Sequence, residues 1–313
     1  MLIQSAQQGY EWAQYRLGKI FLTGEPMERD VDYSLRWLWE AEAQNNQYAQ
    51  ILLARTFLKG EFAEQDIATA ETLLEKSAAQ GNADAQYALA KLHLNGQAQN
   101  PSVTKATELL EKSAGGGNKW AQYTLGKLLM RGELVPKDIS RAEKLLLAAV
   151  QPCLSRDEEH TPLPTNQHAA YFLGKLYLSE DGIPKNTPKA VRYLSDSAAQ
   201  GNQWAQYQLG KMLLYGKEVE QDVERGLSML SASAAQGNIY ADRMIRSYYL
   251  HDRMDGEKKA WPGINRIATD LSLSRSTVKR AVKDLEQAGY VRKEAAYRER
   301  NMSRTSNRYY VLK

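Results

Sequence analysis

Residues 197–216 read Ser-Ala-Ala-Gln-Gly-Asn-Gln-Trp-Ala-Gln-Tyr-Gln-Leu-Gly-Lys-Met-Leu-Leu-Tyr-Gly. Within this stretch Ala205, Leu209, Met212 and Leu213 recur at the spacing of one helical face. The Gly201-Asn202 pair in front of them ends one helix and starts the next, because glycine accepts the left-handed C-cap and the Asn side chain caps free N–H groups. The central Ala-Gln-Tyr, or a near variant, returns with its alanine at Ala13, Ala49, Ala85, Ala121, Ala169, Ala205 and Ala241. Successive gaps are 36, 36, 36, 48, 36 and 36 residues, so one unit repeats and the fourth gap carries an insertion. A period of this length marks a solenoid of supersecondary units, none of which buries its apolar face alone.

Each unit predicts two helices. Helix A carries the alanine stripe. Helix B carries a second stripe, Ala142, Leu145, Leu146 and Ala149 in the fourth unit, matched by Ala106, Leu109, Leu110 and Ser113 in the third. Before helix B stand Asp30, Asp66, Ser102, Asp138, Asn186 and Asp222, all capping types. Gly-Asn junctions recur at 81–82, 117–118, 201–202 and 237–238. Gly18, Gly126, Gly174 and Gly210 fall inside helix A. Glycine there costs roughly 1 kcal/mol relative to alanine, so a close helix-to-helix approach is expected to compensate.

This pattern resembles the Sel-one-like repeat family, a relative of tetratricopeptide repeats. The likeness rests on residues 197–202, Ala205-Gln206-Tyr207, Leu209-Gly210-Lys211, Gly216 and Asp222, and it covers about residues 1–250. It implies an all-α fold: a right-handed superhelical solenoid of helix pairs, with about six repeats, whose concave groove is an adaptor surface without catalysis. Two stretches depart from the pattern. Leu2 to Gly9 aligns with the end of a helix B that no helix A precedes, which reads equally as a piece of a longer protein or as a frayed cap. The insertion near 151–166 holds Pro152, Pro162 and Pro164 with Cys153, Asp157, Glu158, Glu159 and His160. Without paired ligand spacing it reads as a solvated loop, not a metal site.

The bulk numbers bound the class. Of 313 residues 43% are hydrophobic and 25% charged, with no apolar run approaching the roughly 20 that span a bilayer. No secretory signal opens the chain, and a single cysteine excludes an internal disulfide framework, so a cytoplasmic protein without membrane contact is expected. The net charge of +4 is uneven. Residues 255–313 hold 14 Lys plus Arg against 7 Asp plus Glu, and the rest hold 27 against 30. The basicity belongs to the tail, which points to nucleic acid.

On a helical wheel, positions −1, 2 and 6 of helix A, counted from the alanine, lie opposite the buried stripe. Position −1 is Trp12, Tyr48, Asp84, Trp120, His168, Trp204 and Tyr240. Position 2 is Tyr15, Ile51, Tyr87, Tyr123, Tyr171 and Tyr207. Position 6 is Lys19, Arg55, Lys91, Lys127, Lys175 and Lys211. Stacked units turn these into ladders with steps of roughly 10 Å. Aromatic anchors flanked by cations suit an acidic helix or peptide of a protein partner, and they also suit single-stranded nucleic acid. A third reading packs the tyrosines between repeats, with the lysines covering them. The partner groove is placed at Trp12, Tyr48, Trp120 and Trp204 with the six cations of position 6.

Residues 261–313 predict a winged helix-turn-helix. Pro262 opens a helix with Ile264, Ile267, Ala268 and Leu271 on its apolar face; Ser272-Leu273 turn; Ser274 caps a second helix with Val278, Ala281, Val282 and Leu285 inward, ending at Gly289. Arg275, Ser276 and Thr277 then reach base edges, while Lys279, Arg280 and Lys283 pair with phosphates. Residues 290–293 and 308–312 form a hairpin whose connection carries Arg298, Arg300 and Arg304 for backbone or minor-groove contact. The segment is similar to winged-helix domains of the GntR type and of plasmid replication initiators, through residues 273–281 and 285–291. The chain thus divides into a solenoid, 1–250, and a DNA-binding domain, 251–313, with the helix from Ile239 to Arg253 serving both.

No nucleophile–base pair, phosphate loop or metal spacing points to an enzyme or a cofactor. The expected function is a bacterial, non-enzymatic adaptor: the groove holds a protein or peptide and the tail binds double-stranded DNA. Two alternatives stand beside it. One is the accessory part of a plasmid or conjugative-element mobilisation relaxase, whose trailing repeats this Leu-Gly-Lys-Leu pattern resembles. The other is a stand-alone transcriptional regulator.

Overall fold

A computed structural model describes residues 1–152, 166–252, 259–260, 275–287, 291–297 and 304–311. Helices of type A are α2 (Glu11–Thr23), α4 (Gln47–Lys59), α6 (Ala83–Leu94), α8 (Lys119–Arg131), α10 (Gln167–Leu178), α12 (Gln203–Tyr215) and α14 (Ile239–Asp252). Those of type B are α1 (Leu2–Gln7), α3 (Val31–Ala43), α5 (Ile67–Ala79), α7 (Val103–Gly115), α9 (Ile139–Val150), α11 (Thr187–Ala199) and α13 (Val223–Ala235). The repeat region is thus an all-helical solenoid of alternating A and B helices. The chain divides into two compact units, Met1–Tyr193 and Leu194–Lys313.

The caps fall where the residue types place them. Asp30, Asp66, Ser102, Asp138 and Asp222 each accept a hydrogen bond from the backbone N–H three residues on, and Asn186 accepts one from Lys189. Asn46, Asn82, Asn118, Asn166, Asn202 and Asn238 cap the A helices in the same way. The residue ahead of the Asn must take a positive φ, as Gly81, Gly117, Gly201 and Gly237 do. A fifth junction escaped the Gly-Asn pattern: Asn45, with φ 67°, stands in for glycine before Asn46.

The motif Ser-Ala-Ala-Gln-Gly-Asn works as a fastening. Its serine hydroxyl donates to a first-turn carbonyl of the preceding A helix, from Ser77 to Gln47 (3.0 Å), Ser113 to Ala83 (2.6 Å) and Ser233 to Gln203 (2.7 Å). Its glutamine meets the glutamine of Ala-Gln-Tyr, as in Gln44–Gln14 (2.7 Å), Gln80–Gln50 (2.9 Å) and Gln236–Gln206 (2.9 Å). That second glutamine also reaches back. Gln14, Gln86, Gln122 and Gln206 donate to the carbonyls of Ala6, Ala78, Ala114 and Ala198. Gln14 and Gln206 thereby each tie an A helix to the B helices before and after it.

Between the helices of a pair the contact is of small residues. Position 5 of helix A, which is Gly18, Ala54, Ala90, Gly126, Gly174 and Gly210, matches the fourth residue of the following helix B: Ser34, Ala70, Ala106, Ala142, Ala190 and Gly226. A Cβ built on Gly126 lies 3.0 Å from Leu146, and one on Gly18 lies 2.7 Å from Leu38, so the expected close approach is present. It lets leucines from both helices disappear from solvent: Leu17, Leu38, Leu53, Leu74, Leu89, Leu110, Leu125 and Leu146 in the first unit, Leu209 and Leu230 in the second. Each such burial contributes roughly 1.5–3 kcal/mol.

The second unit ends in β1 (Lys259–Ala260), α15 (Arg275–Gln287), β2 (Val291–Tyr297) and β3 (Arg304–Val311). The sheet order is β1-β3-β2, antiparallel throughout, and β1 was not foreseen from sequence. Arg304 starts β3 and pairs with Tyr297, so it belongs to the strand and not to the connection as expected. The predicted helix 262–271, the Ser272-Leu273 turn, the Ser274 cap, Gly289, Arg298, Arg300 and the insertion residues 153–165 lie outside the described residues.

Three stability outcomes follow from the packing. A Cβ on Gly226 would sit 2.8 Å from the Leu214 nitrogen, whereas one on Gly115 meets nothing within 4 Å. Gly226→Ala is expected to lower the urea midpoint by the equivalent of about 1–3 kcal/mol, and Gly115→Ala to raise it by about 0.5–1 kcal/mol. His93 is 3% exposed, and neither ring nitrogen has a hydrogen-bond partner among the described residues; the equivalent position in the next repeat is Leu129. His93→Leu is expected to stabilise by about 1–3 kcal/mol, and an unchanged or lower melting temperature would contradict it.

Candidate functional site

Position −1 falls in the first turn of each A helix, behind an Asn cap everywhere but α2, whose N-cap Tyr10 makes no side-chain cap bond, and it lies clear of the core rows. Trp12, Tyr48, Trp120, Trp204 and Tyr240 are 52%, 40%, 49%, 42% and 51% exposed there. Their rings do not form the evenly stepped ladder expected from the repeat. They lean together across the seam between neighbouring repeats of the same compact unit. Trp12 meets Tyr48 with ring centroids 5.0 Å apart, and Trp120 meets His168 at 5.8 Å. In the second unit Trp204 meets Tyr240 at 6.2 Å. Beneath each couple lies the position-2 tyrosine of the earlier helix: Tyr15 is 5.9 Å from Tyr48, Tyr123 is 5.8 Å from His168, and Tyr207 is 6.3 Å from Tyr240.

Position 2 corrects the wheel. Ile51 is buried and Tyr15, Tyr87, Tyr123, Tyr171 and Tyr207 are half-buried. Burial pushes the hydroxyl pKa of Tyr15, Tyr87 and Tyr123 upward. A wheel drawn for one helix carries no trace of the next repeat, and it is the next repeat whose rings meet Tyr15, Tyr123 and Tyr207.

The cations of position 6 flank the couples. Lys19, Arg55, Lys91 and Lys175 are exposed, and Lys127 and Lys211 are half-buried. Among the described residues Lys19, Lys91 and Lys175 have no ion-pair partner. Arg55 reaches Asp84 at 3.9 Å, and Asp84 also accepts from the Asn118 amide at 2.7 Å. The Lys127 ammonium lies 5.9 Å from the centroid of the Phe172 ring. Burial lowers the Lys127 pKa, with Arg131 adding to the effect. Burial first, then the Lys127 charge, holds His168 below the usual imidazole range.

In α15 the apolar and cationic sides separate. Val278 and Val282 are buried, while Ser276, Lys279, Arg280 and Lys283 are exposed. Arg275 and Thr277 occupy its first turn. The helix precedes the β2–β3 hairpin, and α14 precedes β1. Among the described residues no group of three His, Cys, Asp or Glu is arranged to hold a metal ion, and no helix is long and apolar enough to cross a membrane.

Six segments match the Sel1 repeat family: 13–46, 47–82, 83–118, 121–151, 167–202 and 205–238. Residues 248–291 match a helix-turn-helix domain family. A crystal structure of a protective antigen from uropathogenic Escherichia coli, with an SLR fold, has a TM-score of 0.71 and 22% identity over 92% of this chain and 56% of that one. A Sel1 repeat protein from Oxalobacter formigenes has a TM-score of 0.65 and 27% identity over 79% of this chain and 68% of that one. The chain therefore spans little more than half the length of the first of these structures. None of these likenesses is to a relaxase, so the similarity expected on that side is not shown. No curated protein matches the chain at a significant level.

His168 offers a test of the electrostatics at the Trp120 couple. Its folded pKa lies below the unfolded value near 6.5, so stability falls as pH drops through that value, where the unfolded chain takes up a proton that the folded one resists. Lys127→Met is expected to raise the His168 pKa in an NMR titration and to shrink that acid-side loss. An unmoved titration would leave burial as the sole cause.

Proposed function

The chain belongs to the Sel1 repeat family, and on that premise we propose that it is a non-enzymatic cytoplasmic adaptor: the exposed face of its A helices captures a protein partner, and its C-terminal domain binds double-stranded DNA as a winged helix-turn-helix. The observation that carries the DNA half is the amphipathic build of α15, inside the matched helix-turn-helix segment. Lys279, Arg280 and Lys283 stand on the side opposite buried Val278 and Val282. A helix so built lays its inner face on its own domain and offers three cations to phosphates, with Arg275, Ser276 and Thr277 at the end that enters a major groove. The order α14, β1, α15, β2, β3, with β1 on the far side of β3, supports a wing made by the hairpin.

The joint between the modules is α14 itself. The last repeat match ends at 238 and the helix-turn-helix match begins at 248, both against one unbroken helix, Ile239–Asp252. Its Ala241, Met244, Ile245 and Tyr248 pack with Leu214 and Leu230 of the final helix pair. Sharing of this helix by both modules is part of the proposal, and it suits placing a captured partner at a set position on DNA.

Binding of the full chain to random-sequence duplex, followed against salt, tests this reading. Each phosphate contact contributes a slope of about 0.9 to the fall of log affinity with log salt. Replacing Lys279, Arg280 and Lys283 with Ala is expected to flatten the slope by about two to three contacts' worth and to weaken binding uniformly across sequences, while Arg275→Ala relaxes sequence preference. Absence of duplex binding at low salt would overturn the DNA half.

A further inference from the structure

The aromatic couples of the first unit are interrupted once. In the repeat between Trp12–Tyr48 and Trp120–His168, position −1 is Asp84, and in place of rings there is a recess of about 260 Å3 lined by Arg55, Asp84, Tyr87 and Lys91, with Leu58 and Leu92 among its apolar walls. We infer that the first unit is a three-point reader of an extended protein segment: each aromatic couple takes an aromatic or proline side chain, and the recess between them takes a carboxylate. This rests on the reading of the A-helix face as a partner surface and names what that face selects.

Charge decides the middle point. Two cations, Arg55 and Lys91, share the recess with one carboxylate, and Lys91 has no ion-pair partner among the described residues. The Arg55–Asp84 pair is long, at 3.9 Å, with both side chains more than half exposed, at 54% and 58%. Such a pair opens readily. An incoming carboxylate can take Arg55 and Lys91 while Asp84 keeps the Asn118 amide. Two cations against one carboxylate leave the recess a net charge of +1, which a single further carboxylate neutralises.

Spacing makes the inference specific. The first couple bridges α2 and α4, the recess lies between α4 and α6, and the second couple bridges α8 and α10. With successive A helices about 10 Å apart and an extended chain rising about 3.3 Å per residue, the outer anchors fall about nine residues apart, with the acid about three from the first.

The test uses the full chain and a displayed library of random 16-residue peptides, with fluorescent (dT)16 in a parallel titration. Enriched peptides are expected to carry two aromatic or proline residues about nine apart with an Asp or Glu about three from one of them. Their affinity is expected to fall at least tenfold with Trp12→Ala, with Trp120→Ala, and with Arg55→Glu combined with Lys91→Glu. Trp12→Phe and Trp120→Phe retain most of the binding, which separates a lost contact from a lost fold. Added salt weakens the unaltered chain more than the charge-reversed one. Enriched peptides without an acid, or indifferent to Arg55 and Lys91, overturn the reader but leave the partner face standing. Peptides indifferent to Trp12 and Trp120 as well, or no enrichment at all, overturn both. Tighter binding of (dT)16 than of any peptide overturns the inference in favour of nucleic acid.

Discussion

The structure depends on how closely helix A of each pair can cross helix B. At the crossing, position 5 of helix A and the fourth residue of helix B are never larger than serine or alanine, and at Gly210 and Gly226 both side chains are absent. In the first pair Ser34 adds a hydrogen bond of 2.7 Å to the Gly18 carbonyl. Close backbones bring the flanking leucines into contact and leave them no solvent. A larger residue at the crossing would push the pair apart and open a gap beside every leucine in that layer, so one small contact sets the packing of a much larger area.

The outer face follows from the inner one. Once positions 0, 4, 5 and 8 are committed to the core, and position 2 is wedged under the next repeat, position −1 is the row left for aromatic residues to meet solvent. The couples form across seams, so each belongs to two repeats and neither repeat makes one alone. The Asp84 repeat breaks that row without breaking the fold. Its core leucines, Leu89 and Leu110, are as buried as those of its neighbours. Variation at position −1 therefore alters what the face offers at little cost to the stack, and specificity and stability are carried by different residues of one helix.

Much of this was legible in the chain. The period, the two stripes, the caps and the left-handed glycines of the repeats each follow from local chemistry, and the described residues of the repeats keep them. Four things were not legible. The pairing of rings across seams depends on side-chain lean, which a wheel of one helix omits; Asn45 in place of glycine hid one junction; and β1 is two residues long with no pattern of its own. The stitching by Gln14, Gln50 and Gln206 was hidden for a different reason. A glutamine beside the core alanine looks like surface, and only its two partners, about thirty residues on and eight back, reveal it as framework.

That framework is not complete at every seam. Gly116 and Pro152 stand thirty residues on from Gln86 and Gln122, and Ala170 stands thirty before Gln200, so none of these three glutamines has a clasping glutamine opposite it. Gln86 and Gln122 still donate to the carbonyls of Ala78 and Ala114, and the Gln122 Oε1 has no partner among the described residues. Leu89, Leu125 and Leu173 of these repeats are nonetheless as buried as the leucines of the clasped ones. The clasp is therefore a reinforcement laid over a stack that its leucines already hold, and it can be dropped from a repeat without unmaking the array.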